Sequence, residues 1–167
     1  KMPSVQQHQP MHGVELTSFD FSNEQLKGPV VIEVFCGSAR VTASLKEVGL
    51  TQSFGVDHVL DKAVSAAKRL DLTQLEDQQL FLQWMSSPLV VGLFLAPPCG
   101  TCSLARNIQL MDEKGRKIPG PIPLRSAVWP EGLPGLGAKD RARVSAANTL
   151  YDFVAKVVAL AHSDRKS

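Results

Sequence analysis

Two apolar runs, each closed by a breaker, constrain this chain more than anything else in it. GPVVIEVF (28–35) holds Val30, Val31, Ile32, Val34 and Phe35 and stops at Cys36-Gly37-Ser38. PLVVGLFLA (88–96) is as continuous and stops at Pro97-Pro98, which cannot extend a central strand. Runs that are apolar at consecutive positions fit strands buried on both faces, as in a parallel sheet. Parallel strands need crossover connections, and the stretches between the runs have helical spacing.

After Gly37, the residues Val41, Leu45 and Val48 recur at three- and four-residue spacing, and Gly49 closes that helix. SFGV (53–56) reads as a short second strand ending at Asp57. Asp61 then fits the N-cap of a helix reaching Leu70, with a very short third strand at Asp71-Leu72. Leu75 to Met85 predicts a helix with Leu80 and Trp84 on one face. Ala138 to His162 predicts a long one, with Val144, Ala147, Leu150, Val154, Val157 and Val158 as its apolar stripe. The alternation predicts an α/β fold: a doubly wound, Rossmann-like parallel sheet with about four visible strands. The chain divides into a polar N-terminal segment (1–28) and an α/β domain (29–167), the latter interrupted by a long Pro/Gly-rich loop at about 108–138. VELTSFDFS (14–22) has room for a short extended piece, and His8 and His12 read as solvated.

Charge is nearly balanced, at net +2, which excludes coating of nucleic acid by charge alone. The distribution is uneven. Residues 1–105 hold 7 Lys+Arg against 10 Asp+Glu, whereas residues 106–143 hold 8 against 4. The basic stretch also contains five Pro and five Gly. No apolar run nears the ~18 residues of a membrane span. The N-terminus has no signal-peptide plan, and the three cysteines are expected as free thiols in a reducing, intracellular compartment, nuclear or cytoplasmic.

In doubly wound sheets, ligands bind beyond the carboxyl ends of the strands. The chemistry-bearing residues all fall there. Gly37 allows a tight turn and close approach to the backbone before a helix N-terminus. There is no G-x-G-x-x-G, so a pyrophosphate is poorly supported. Asp57 lies 20 residues after Gly37, where a carboxylate accepts both hydroxyls of a ribose. Asp71 is placed to accept from an adenine amino group. Either carboxylate alone reads equally as a turn residue; the ordered pair after a Gly turn points to an adenosine-type ligand. In APPCGTCS (96–103) two prolines fix the strand exit ahead of Cys99.

That series resembles a class I S-adenosylmethionine-dependent methyltransferase, and within that class it is most similar to the cytosine carbon-5 DNA methyltransferases. Glu33, Phe35 and Gly37 match the family's acidic-x-F-x-G turn, and Gly49 matches the end of its helix. Pro97, Pro98, Cys99 and Ser103 match its Pro-Pro-Cys loop with a Ser four residues on. The resemblance spans Pro29 to Asn107 and implies a methyltransferase-type sheet present only in its cofactor-binding half. It implies that Cys99 is the nucleophile, attacking carbon 6 of a flipped-out cytosine. S-adenosylmethionine would lie against Glu33, Phe35, Cys36, Gly37 and Ser38, and against Asp57, His58, Asp71, Leu72 and Pro97. Ser103 and the basic Arg106, Lys114, Arg116, Lys117 and Arg125 would face nucleic acid, with DNA as the expected methyl acceptor.

Two positions depart from the family pattern, and two of its motifs are absent. Ala39 stands where a second Gly is usual, and Gly100 follows the Cys in place of Gln. No Glu-Asn pair occurs, and no Gln-x-Arg-x-Arg strand; Arg141-Ala142-Arg143 lies in the long helix. The expectation is therefore a truncated or degenerate methyltransferase, or a segment of a longer polypeptide with further domains, and no membrane partner.

Two other readings stay open. Strand, Cys99-x-x-Cys102, helix is similar locally to thioredoxin, a dithiol oxidoreductase. Thioredoxin-like domains have little chain before that motif and a cis-Pro strand after it. A module that binds S-adenosylmethionine without transferring methyl is the other. A zinc site built from Cys36, Cys99, Cys102 and His58 matches by count, but its ligands come singly from separate strand ends, and no metal is expected. Trp84 and Trp129 read as core and loop packing, His162 as a helix end, and Asn148, Tyr151 and Phe153 as helix contacts with the sheet.

Overall fold

The computed structural model describes residues 26–163. Four parallel strands form one sheet in the order β3-β2-β1-β4: β1 (Val30–Val34), β2 (Phe54–Asp57), β3 (Ala67–Arg69) and β4 (Val90–Leu95). Three helices accompany them: α1 (Arg40–Glu47), α2 (Leu75–Met85) and α3 (Ala138–Ser163). The expected α/β architecture and all-parallel sheet are present. Of the N-terminal segment 1–28, the first 25 residues, with the 14–22 stretch, His8 and His12, lie outside the described residues.

Strand alternation separates the two faces of the sheet. Val30, Ile32 and Val34 face one way and join Phe54 and Val56 in a buried cluster with Phe81 and Trp84 of α2 and Phe153 and Val157 of α3. Edge-to-face contacts of Phe54 with Trp84 and of Phe81 with Phe153, both at 5.7 Å, lock that layer. Glu33 faces the other way, toward α1, so helices lie on both faces. β4 is an edge strand of the described sheet and leaves Val91 and Phe94 exposed. Although α3 is long and apolar enough to span a membrane by length and composition, it lodges Phe153 and Val157 in the core.

The helix expected over 61–70 does not form. Its second half is β3, paired with β2 through Gly55 opposite Ala67, Val56 opposite Lys68 and Asp57 opposite Arg69. Ala and Lys favour helix locally, but the open edge of β2 offers a ladder. The missed signal is an alternation: Lys68, Leu70 and Leu72 point to the core side, and the two leucines are buried. The Lys68 ammonium rests 5.7 Å and 5.6 Å from the Phe54 and Trp84 rings. The third strand thus ends before Asp71-Leu72 rather than at it.

The β1–α1 junction depends on a buried carboxylate. Ala39 occupies the cap position of α1 and has no side chain able to cap it. Glu33, 5% exposed, does so from the strand: Oε2 accepts the Thr42 N–H and the Thr42 hydroxyl, both at 2.7 Å. These bonds to an ionised group meet an orphan helix N–H and offset the carboxylate's desolvation. Glu33→Ala leaves the Thr42 donors buried without their acceptor. It should lower stability by about 3 kcal/mol, and Glu33→Gln by about 1 kcal/mol, since an amide oxygen still accepts. Urea midpoints check this, with exposed Glu47→Ala as reference; equal midpoints for the Glu33 and Glu47 variants would refute the cap.

Candidate functional site

The carboxyl ends of β1 and β4 are neighbours, and their connections run to opposite sides, which makes the switch point. The Ala96 N–H donates to the Val34 carbonyl at 3.2 Å, so Pro97 leaves β4 alongside Phe35. On the β1 side, Phe35, Gly37 and Ala39 all have positive φ, at 61°, 52° and 54°. For the two non-glycine residues this conformation costs roughly 1–2 kcal/mol each. Ala39 thus adopts a backbone conformation that favours glycine. Space around the Cβ position of Gly37 is open, so a ligand can reach the backbone there.

Asp57 ties this turn to β2. Its Oδ2 accepts the Gly37 N–H at 2.8 Å, and Oδ1 accepts the His58 N–H and meets His58 Nδ1, both at 2.8 Å. The His58 ring is exposed beside it. Ser38 is fixed by its carbonyl, which accepts from the Val64 N–H at 2.9 Å. Asp71 organises its own turn: Oδ1 accepts the Thr73 N–H and hydroxyl at 3.0 Å and 2.7 Å, which holds the carboxyl below its ordinary range. Leu72 is buried beneath it. Glu33 caps α1 from inside. Of the expected cofactor residues, Phe35, Gly37, Ser38, Asp57 and Pro97 share one rim, with His58 and Asp71 at its β2–β3 end.

Cys36 belongs to the core rather than the rim. Its N–H donates to the Val56 carbonyl at 3.1 Å, and its sulfur would stand 2.6 Å from a Cβ added at Gly55. Burial, followed by the charges of Asp57 and Glu33, pushes this thiol up to about 11. Cys99 and Cys102 are exposed. Among the described residues no three or more His, Cys, Asp or Glu side chains gather as metal ligands.

Thr101, Cys102 and Ser103, the end of the Pro97–Ser103 turn, border a cavity of about 580 Å³ that no sequence motif signals. Thr101, Cys102, Ser103, Arg125, Glu131, Asn148 and Tyr151 are among its walls. Two arginines expected to face phosphate build this wall. Arg106 donates from Nε to the Ile122 carbonyl and from Nη1 to the Gly100 carbonyl, at 2.9 Å and 3.0 Å. Arg125 donates from Nε and Nη2 to Thr101 Oγ1 at 3.2 Å and 3.1 Å, and from Nη1 to the Pro130 carbonyl. Lys114, Arg116 and Lys117 sit instead on an exposed hairpin-like tip, closed by the Met111–Lys117 bridge, where Asp112 Oδ2 accepts from Arg116 Nε at 2.8 Å. Ser103 starts the 3₁₀ turn Leu104–Asn107, its Oγ accepting the Ala105 N–H at 3.2 Å.

No family model, curated protein or solved structure matches the chain. What fold and site define together is an α/β protein with a parallel sheet, a strained Gly turn after β1 and an exposed cysteine after β4.

The three thiols should separate by reactivity. At pH 8 a disulfide reagent should modify the two exposed thiols, Cys99 ahead of Cys102, in the folded chain and Cys36 only on unfolding; three equal rates would contradict the buried thiol. A raised folded value favours the protonated form, so the Cys36 contribution to stability is complete below the ordinary thiol value of 9.0 and is lost as pH rises through about 11. Cys36→Ala should flatten the fall in melting temperature across that window.

Proposed function

We propose that the chain is an S-adenosylmethionine-binding module of methyltransferase type, acting on a nucleic-acid base with Cys99 as nucleophile. The observation that carries the reading is the pairing across β1 and β4: the left-handed turn held by Asp57 stands directly beside the Pro97-Pro98-Cys99 exit. The residues suit the cofactor. Gly37 leaves its backbone approachable, and Asp57 Oδ2 retains a lone pair beyond its bond from Gly37, at the strand end where a ribose would sit. When bound, S-adenosylmethionine supplies an electrophilic methyl group on a sulfonium.

The chain's own part is covalent and positional. A Cys99 thiolate adds to carbon 6 of a cytosine: a C–S bond forms, the C5=C6 π bond breaks, and its electron pair makes carbon 5 nucleophilic; after methylation, loss of the carbon-5 proton to water re-forms the double bond and expels the thiolate. A base within a duplex is out of reach of such a thiol and must be flipped out or single-stranded. The cavity beside the turn would offer such a base a mixed wall, with Ser103, Asn148 and Tyr151 among apolar Leu104, Pro123 and Leu124. Lys114, Arg116 and Lys117 supply the salt-dependent attraction to phosphate, while Arg106 and Arg125 shape the loop that carries them.

The dithiol alternative keeps one supporting observation, the closeness of two exposed thiols in one turn. Against it, no strand follows β4 among the described residues, where a thioredoxin has its cis-Pro strand.

Calorimetric titration of S-adenosylmethionine should show binding to the wild type, weakened about tenfold or more in Asp57→Ala, as expected for loss of a charge-assisted hydrogen bond. DNA containing 5-fluorocytosine should form a covalent adduct that Cys99→Ser abolishes. Absence of cofactor binding would overturn the reading. Binding without an adduct would reduce it to the non-catalytic module.

A further inference from the structure

Cys99 is gripped from both sides by residues far away in sequence. Tyr151, on α3, donates its hydroxyl hydrogen to the Pro98 carbonyl at 2.7 Å, one residue before Cys99. Arg125 lies over the Tyr151 ring, 5.4 Å from its centre, and its guanidinium donates twice to the buried Thr101, two residues after Cys99. Within the turn, the Cys99 carbonyl accepts the Cys102 and Ser103 N–H groups at 3.0 Å and 2.9 Å.

The same network distinguishes the two thiols. Cys102 Sγ lies 3.2 Å from the Tyr151 oxygen. A phenol has one hydrogen, and a carbonyl can only accept. With the Tyr151 hydrogen on Pro98, the second contact must be an S–H donated by Cys102 to the phenol oxygen. The Cys99 carbonyl, 3.5 Å from the same sulfur, is a further acceptor for that hydrogen. The Cys102 S–H is thereby directed at the phenol oxygen. Burial, and then the Cys102 bond, push the Tyr151 phenol up, which keeps its own proton in place. Cys99 is exposed in the same turn, and no hydrogen bond to its sulfur occurs among the described residues.

We propose that Tyr151 is a positioning residue for Cys99: it fixes the Pro98 carbonyl and tethers the Cys102 thiol, so that Cys99 alone is presented to a substrate. This rests on the reading of Cys99 as the nucleophile. It assigns Cys102 a structural part in the turn and gives α3 a direct role in the site.

Alkylation of the full chain by iodoacetamide in the presence of a phosphine reductant, resolved by peptide mass spectrometry, tests the tether without any variant. Cys99 should react about tenfold faster than Cys102, since a thiol held as a donor is a poor nucleophile. Equal rates, or faster reaction at Cys102, would overturn the proposal. Tyr151→Phe keeps the ring beneath Arg125 and removes both hydrogen bonds. In it the two rates should converge, and the Cys102 and Ser103 amides should exchange hydrogen severalfold faster while those of β1 and α2 stay unchanged. Cys102→Ser, whose hydroxyl can donate to Tyr151 in place of the thiol, should keep the slow exchange at residue 103. Unchanged exchange and unchanged selectivity in Tyr151→Phe would refute the positioning role. In cytosine methylation, Tyr151→Phe should lower kcat and leave the KM for S-adenosylmethionine unaltered. Intact thiol selectivity in a wild type that forms no adduct with 5-fluorocytosine DNA would remove the nucleophile reading and leave the Tyr151 anchor standing.

Discussion

The Glu33 carboxylate is the constraint on which the β1 side of the site depends. It is a charge inside a strand otherwise made of Val and Ile, and such a group persists only when paired or fully hydrogen-bonded. Thr42 meets that requirement with two donors to one oxygen. In doing so it fixes where α1 begins, because the carboxylate replaces the cap that Ala39 lacks. With β1 and the start of α1 both fixed, the five residues between Val34 and Arg40 have little freedom, and the left-handed backbone of Phe35, Gly37 and Ala39 follows. The charge-assisted bonds offset strain of similar size. Asp57 then binds the Gly37 N–H and joins β2 to the arrangement.

The β4 side is built differently. No α-helix cap organises the turn after Pro97; Ser103 caps only the short 3₁₀ turn that follows it. Its order comes from outside the sheet, through Arg125 and Tyr151, which come from the Pro-rich loop and from α3. The long loop is therefore part of the site's framework: Leu124 is fully buried and its carbonyl accepts the Leu133 N–H at 2.9 Å, while Arg125 reaches Thr101. One rim depends on a buried carboxylate and the other on guanidinium-to-oxygen bonds, so damage to either should be local.

This difference explains what the sequence made legible. Continuous apolar runs and their breakers place β1 and β4, and three- and four-residue spacing places α2 and α3, because those signals are carried within a segment. The faces shift by a residue, since α2 buries Phe81 with Trp84 and leaves the expected Leu80 exposed, and α3 buries Phe153 and leaves Val158 exposed. Gly37, Asp57 and Cys99 were readable as strand-end residues for the same reason. The bond between Gly37 and Asp57 was not, since spacing locates residues without orienting them. β3 was missed because Ala and Lys favour helix until a neighbouring strand edge is available. Tyr151, expected to contact the sheet as Phe153 does, turns to the Cys99 loop instead. Its one audible clue is a polar tip on an otherwise apolar helix, which does not name a partner.

The basic loop shows why charge counts mislead at this scale. Its excess of cations suggests a surface aimed at phosphate, but the guanidinium groups have much local work. Arg106, Arg125 and Arg141 donate to carbonyls of the loop, and Arg116 and Arg143 pair with Asp112 and Asp140. A planar fork suits such bonds, whereas an ammonium is a hydrated point charge that holds backbone poorly. The lysines of the loop are thus its field and the arginines largely its skeleton. A field this small attracts a polyanion weakly and is readily screened by salt. The same arginines hold in place the walls of the cavity bordered by Thr101, Cys102 and Ser103, so the loop's cations serve its shape more than its field.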